Sequence, residues 1–138
     1  MSNIFHYAFK VKDLESTRDF YIDILGCIEG RSTETWIDFS LYGNQLSAHI
    51  GDVSVPLDYC GNVDGVLVPI PHFGCLLKPQ QFLALSERLE KAKVKFIVKP
   101  QIRYKGKKGQ QDTMFVLDYS GNAIEFKSFE NSSEVFES

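Results

Sequence analysis

Phe5, Tyr7, Phe9 and Val11 alternate with His6, Ala8 and Lys10 near the head of the 138-residue chain. A period of two marks a strand with one strongly apolar face, and it puts His6 on the opposite face. From Asp13 the period lengthens. Leu14, Thr17, Phe20, Tyr21, Ile24 and Leu25 recur at helical spacing, with Asp13 as N-cap and Gly26 as the stop. Three strands are predicted next, over 27–32, 35–41 and 45–50, the last two joined by the turn Tyr42-Gly43-Asn44. The order is βαβββ.

The same order recurs from His72. A strand is predicted over 72–77, then a helix entered by Pro79 whose Phe82, Leu85, Leu89 and Ala92 form the buried stripe. Strands follow over 95–98, 113–118 and 123–129, with the turn Tyr119-Ser120-Gly121-Asn122 between the last two. The expected organisation is one α+β domain of two βαβββ modules, at about 4–51 and 71–129, whose sheets form a partly open barrel with a helix outside each. Residues 52–70, punctuated by Pro56, Gly61, Gly65 and Pro69, read as a linker, long enough to suggest function or mobility. The acidic, serine-rich stretch 130–138 reads as a frayed tail.

Composition narrows the possible functions. With 43% hydrophobic and 13% aromatic residues, the chain can build one substantial core. A formal net charge of -3 argues against nucleic acid or an acidic membrane as partner and favours a small molecule. Cys27, Cys60 and Cys75 are widely spaced and odd in number, which argues against a disulfide framework or a thiolate metal site. No basic segment precedes an apolar run at the N-terminus, and no apolar stretch of about 18 residues occurs, so a cytoplasmic protein is expected.

Strand parity then selects the chemistry. Glu125 alternates with Ile124 and Phe126, His72 precedes Phe73, and His49 lies between Ala48 and Ile50. Each, like His6, is expected on the face away from the helices. A single histidine or glutamate on such a face is usually a half-exposed strand residue. Here all three histidines and one carboxylate fall on comparable strands of two modules, as a pseudo-twofold metal site requires. Trp36 and Asp38 share a face opposite Ile37 and Phe39, which suits lining of the cavity, although a place in the core suits Trp36 equally; Cys75 has the parity of the core. Lys99, Arg103, Lys105, Lys107 and Lys108 occur without an intervening acid. Such a run is most often a solvated loop; as a flap, it would offer Arg103 or Lys107 to an anionic group and Tyr104 to a ring.

Two stretches carry a family likeness: His6-x-Ala8-Phe9-x-Val11-x-Asp13-Leu14 with Arg18-Asp19-Phe20-Tyr21 and Leu25-Gly26, and Phe115-x-Leu117-Asp118-x-x-Gly121-Asn122-x-Ile124-Glu125-Phe126-Lys127. In this duplicated order the chain, from His6 to about Phe129, resembles the vicinal oxygen chelate superfamily. That superfamily includes glyoxalase I, extradiol dioxygenases, and fosfomycin- and bleomycin-resistance proteins. Pro100-x-Ile102-Arg103-Tyr104-Lys105-Gly106 further resembles a small single-domain group described as predicted extradiol dioxygenases.

The resemblance implies a divalent metal, Fe(II) foremost, on His6, His72 and Glu125, acting with dioxygen on a catecholate or similar substrate with vicinal oxygens. It also implies a homodimer, with the cup built within one chain or by modules exchanged between subunits. His49 would stand where glyoxalase I has a metal-bound glutamate, as a fourth ligand, or would serve as acid/base as in extradiol enzymes. The runner-up reading is a glyoxalase-type lyase or isomerase on Ni(II), Zn(II), Mn(II) or Co(II). A third is a non-enzymatic binding protein of the bleomycin-resistance kind. One departure stands out: extradiol enzymes place a tyrosine about ten residues before the ligand glutamate, where this chain has Met114 and Phe115, leaving Tyr104 as a substitute.

Overall fold

β1 (His6–Val11) runs parallel to β4 (Asn44–Ile50), which pairs antiparallel with β3 (Trp36–Leu41), itself bordered by β2 (Ile28–Ser32). This four-stranded sheet belongs to the first of two compact units in the computed structural model, which describes residues 3–137. The first unit extends to Pro56 and includes the turn Asp118–Asn122. One face of its sheet is apolar as the alternation requires, with Val11, Ile37, Phe39 and Leu46 buried. The helix that covers this face opens with Asp13, whose Oδ1 accepts from the Ser16 amide at 2.7 Å.

The helix departs from expectation in its winding. α1 (Leu14–Thr17) is a single α-turn, and Arg18–Ile24 continue as a π-helix closed by Leu25 N–H donating to the Phe20 carbonyl. Phe20 and Tyr21, adjacent in this wider turn, both face the core, with 0% and 1% of their surface exposed.

The second unit comprises Leu57–Leu117 and the chain from Ala123 onward. β7 (Phe73–Leu76) is parallel to β10 (Ala123–Phe129), followed by the antiparallel β9 (Gln111–Leu117) and β8 (Phe96–Arg103). α2 (Pro79–Lys91) buries Phe82, Leu85 and Leu89 of the stripe read from its sequence, whereas Ala92, the fourth member, is its exposed C-cap. Both four-stranded sheets are mixed, and neither strand order closes on itself.

Three expectations are corrected in this unit. The presumed linker contains a hairpin, β5 (Asp58–Val63) and β6 (Val66–Ile70), and its Val63 and Val68 form a buried cluster with Val98 and Phe115. The strand expected over 95–98 runs on to Arg103, taking half of the basic stretch into the sheet. The tail includes a 3-10 turn, Ser132–Glu134, and is tied down where Glu134 Oε1 accepts from the Gly109 amide at 3.0 Å and Glu137 pairs with Lys108.

Candidate metal centre

In the second unit, strand parity sends Glu125 to the face away from α2, where it is 8% exposed. Its two oxygens have different company. Oε2 accepts from the Thr113 hydroxyl at 2.6 Å, and Oε1 lies 3.3 Å from His72 Nε2 and 3.8 Å from Lys127 Nζ. His72 stands just before β7, and its Nδ1 is 2.8 Å from the Pro69 carbonyl. A carbonyl only accepts, so Nδ1 carries a proton and Nε2 is the nitrogen turned toward the carboxylate. The imidazole and the Phe115 ring make a T-shaped contact with centroids 4.8 Å apart.

β7 reaches β10 closely enough for this pairing because of Gly74. Gly74 lies opposite Glu125, and a Cβ there would fall 1.5 Å from the Glu125 carbonyl oxygen. No side chain fits that approach, so glycine is required between the histidine and the packed part of β7.

In the first unit His6 is exposed, and its Nδ1 lies 3.0 Å from Gln45 Oε1. The Gln45 amide nitrogen donates to Asp38 Oδ2 at 3.4 Å, and Ser47 donates to Asp38 Oδ1 at 2.6 Å. That chain of bonds turns Gln45 Oε1 toward the imidazole, which leaves His6 Nε2 free. Both histidines thus have Nδ1 engaged by an oxygen, the outer-shell arrangement usual for imidazoles that ligate through Nε2.

The register changes the reading of His49. His6 pairs with Gln45 and Ala8 with Ser47, while Gly74 pairs with Glu125. Aligning His6 with His72 therefore sets Ser47, not His49, on the position of Glu125. His49 matches Lys127 instead. It lies opposite Lys10, four residues along β4 from Gln45, which is roughly 13 Å at the usual strand rise. Two imidazoles so separated do not share one ion, so the correspondence with the glutamate of glyoxalase I fails. Trp36 packs beside His49, ring centroids 6.2 Å apart, and with half-buried Asp38 lies on the same face as His6.

The flap residues are partly committed. Arg103 Nε pairs with Asp64 Oδ2 in the turn of the β5–β6 hairpin at 3.1 Å, and its guanidinium sits 5.0 Å from the Tyr104 ring centroid. Lys107 is exposed in the turn after β8. Among the described residues, His72 and Glu125 come together, but no group of three or more His, Cys, Asp or Glu side chains forms a metal-holding cluster. Thr113, Gln45 and the Pro69 carbonyl were not singled out from sequence. Their roles depend on register and on the hairpin, which local patterning does not report. Gly74, two residues after His72, was the available signal.

The Glyoxalase/Bleomycin resistance protein/Dioxygenase superfamily model matches residues 3–126. No curated protein matches the chain significantly. A glyoxalase/bleomycin resistance protein/dioxygenase from Alicyclobacillus acidocaldarius is similar in structure, with TM-score 0.80, 26% identity, and 98% of this chain and 97% of that chain covered. The fosfomycin resistance protein FosX of Listeria monocytogenes shares the fold at TM-score 0.72 and 18% identity, covering 98% and 99% of the two chains. A variant of that protein, solved with Mn(II) and 1S,2S-dihydroxypropylphosphonic acid, aligns at TM-score 0.66 and 20% identity over 91% and 89%.

Proposed function

Because the chain belongs to the glyoxalase/bleomycin resistance protein/dioxygenase superfamily, we propose that it is a divalent-metal enzyme acting on a small molecule with two adjacent oxygens. His6, His72 and Glu125 are the proposed ligands, two histidines and one carboxylate that leave positions open for substrate. One observation carries this reading: His72 Nε2 and Glu125 Oε1 face each other at 3.3 Å, while Nδ1 and Oε2 are each committed to another partner. Two lone-pair donors so aimed call for a proton or a cation between them, and the N,O set suits a divalent ion. When bound, such an ion acidifies and orients the substrate oxygens and, as Fe(II), admits dioxygen.

The reaction proposed is extradiol-type cleavage with Fe(II). Trp36 and His49 would wall the substrate, with His49 taking and returning a proton at its distal part rather than binding metal. Tyr104, Arg103 and Lys107 would meet an aromatic or anionic portion. His6 is proposed to come from the second copy of a homodimer, in keeping with the exposure of His6, Gln45 and His49 on one face and of Ile28 at 73% on the neighbouring edge strand.

Phe115, which supplies no hydroxyl beside His72, favours a second, non-oxidative reading of lyase, isomerase or hydrating type on Mn(II), Ni(II), Zn(II) or Co(II). The Mn(II) and the vicinal diol held by the Listeria protein are in keeping with it. Metal analysis of anaerobically purified protein, followed by turnover of catechols in air and under argon, separates the two. Iron content near one per site and oxygen-dependent turnover abolished by His72→Ala are the expected results. Equal turnover under argon would sink the oxygenase reading, and tight ligand binding without metal would sink both.

A further inference from the structure

Resting on that metal-site reading, we propose that Thr113 is a positioning residue that makes Glu125 a one-oxygen ligand. Thr113 has no exposed surface and sits on β9 diagonal to Glu125, since the register pairs Glu125 with Phe115 and Lys127 with Thr113. A carboxylate only accepts, so the 2.6 Å contact between Thr113 Oγ1 and Glu125 Oε2 is a hydroxyl donating to a charged group. The β-branched side chain allows few rotamers within a strand, which fixes the hydroxyl and through it the carboxylate plane. With Oε2 held back, Oε1 is the oxygen presented toward His72 Nε2 at 3.3 Å.

The strand itself does not call for a hydroxyl here. Thr113 is followed by the buried apolar residues Met114, Phe115 and Val116, and valine would fill the same volume in a strand of this kind. The hydroxyl is therefore assigned to the carboxylate it orients. Partners of this outer type typically change metal affinity by about 10–100-fold when removed.

Mn(II) titration calorimetry on the full chain, with wild type, Thr113→Val, Thr113→Ser and His72→Ala, provides the test. Thr113→Val is expected to bind Mn(II) about 10–100-fold more weakly, while Thr113→Ser, which keeps the hydroxyl, stays near wild type. Wild-type affinity in Thr113→Val overturns the assignment. So does equal weakening in Thr113→Ser, which would point to volume rather than the hydroxyl. Mn(II) binding that His72→Ala leaves untouched overturns the metal site itself, and the role of Thr113 with it.

Discussion

The Asp118 carboxylate accepts four hydrogen bonds: from the Ser120 and Asn122 amides at Oδ1, and from the Tyr21 hydroxyl and Asn122 Nδ2 at Oδ2. Asn122 also donates to the Lys10 carbonyl, and Ser120 accepts from the Lys12 amide. The run Leu117-Asp118-x-x-Gly121-Asn122, prominent in the family likeness, is thus a structural latch closing the first unit. Gly121, at φ 86, supplies the left-handed residue it needs. Tyr21 is fully buried, and its phenol is pushed well above the usual 10.0 by burial first and by the Asp118 charge second. Tyr21→Phe should cost about 1.5–3 kcal/mol in denaturant unfolding, the range for a bond to a charged acceptor. The pH dependence follows from the raised pKa. Stabilisation by the protonated phenol is complete below the unfolded value of about 10 and is lost as pH rises through the higher folded value. Wild type should therefore lose its advantage over Tyr21→Phe only in alkali, and a constant difference across that range would refute the role given to the hydroxyl.

Pairing of β7 with β10 rests on the absence of a side chain at Gly74. Gly74→Ala must push the strands apart or break their register, because the added Cβ meets backbone rather than a movable side chain. A cost at or above the roughly 1–3 kcal/mol of an overpacked core is expected in urea unfolding, together with weaker Mn(II) binding as His72 moves from Glu125. Unchanged stability would show that the two strands have slack. Elements of this kind were unequally legible. Strands and helices with one buried face leave a period in the sequence, so β1, β3 and α2 were evident from their spacing, and β10 from the alternation of Ile124 and Phe126 with its polar residues. The β5–β6 hairpin left little trace: in β5 only Val63 is buried, and its Gly61 and Asn62 look like loop. The π-helical winding of Arg18–Ile24 was hidden for another reason, since the apolar spacing of one helical turn fits either winding.

At the scale of the molecule, the histidines on comparable strands were visible in the sequence, but their distances were not. Register between strands far apart in the chain makes Ser47, opposite Ala8, the counterpart of Glu125, opposite Gly74, and moves His49 away from His6, and no local pattern encodes such a register. The proposed ligand set would draw His72 and Glu125, with Thr113 behind them, from one unit and His6, with its Gln45–Asp38 support, from the other. If a second copy supplies His6, two separately defective chains can complement each other. In a mixed dimer of His6→Ala and His72→Ala chains, one site loses both histidines and the other keeps both. Since random pairing makes about half of all dimers mixed, roughly one quarter of sites should be intact after co-refolding. Mn(II) stoichiometry on the mixture should therefore rise from near zero for each variant alone to about one quarter of the wild-type value. A mixture as inert as its two components would place all three ligands within one chain, and it would do so without disturbing the pairing of His72 with Glu125 on which the metal assignment stands.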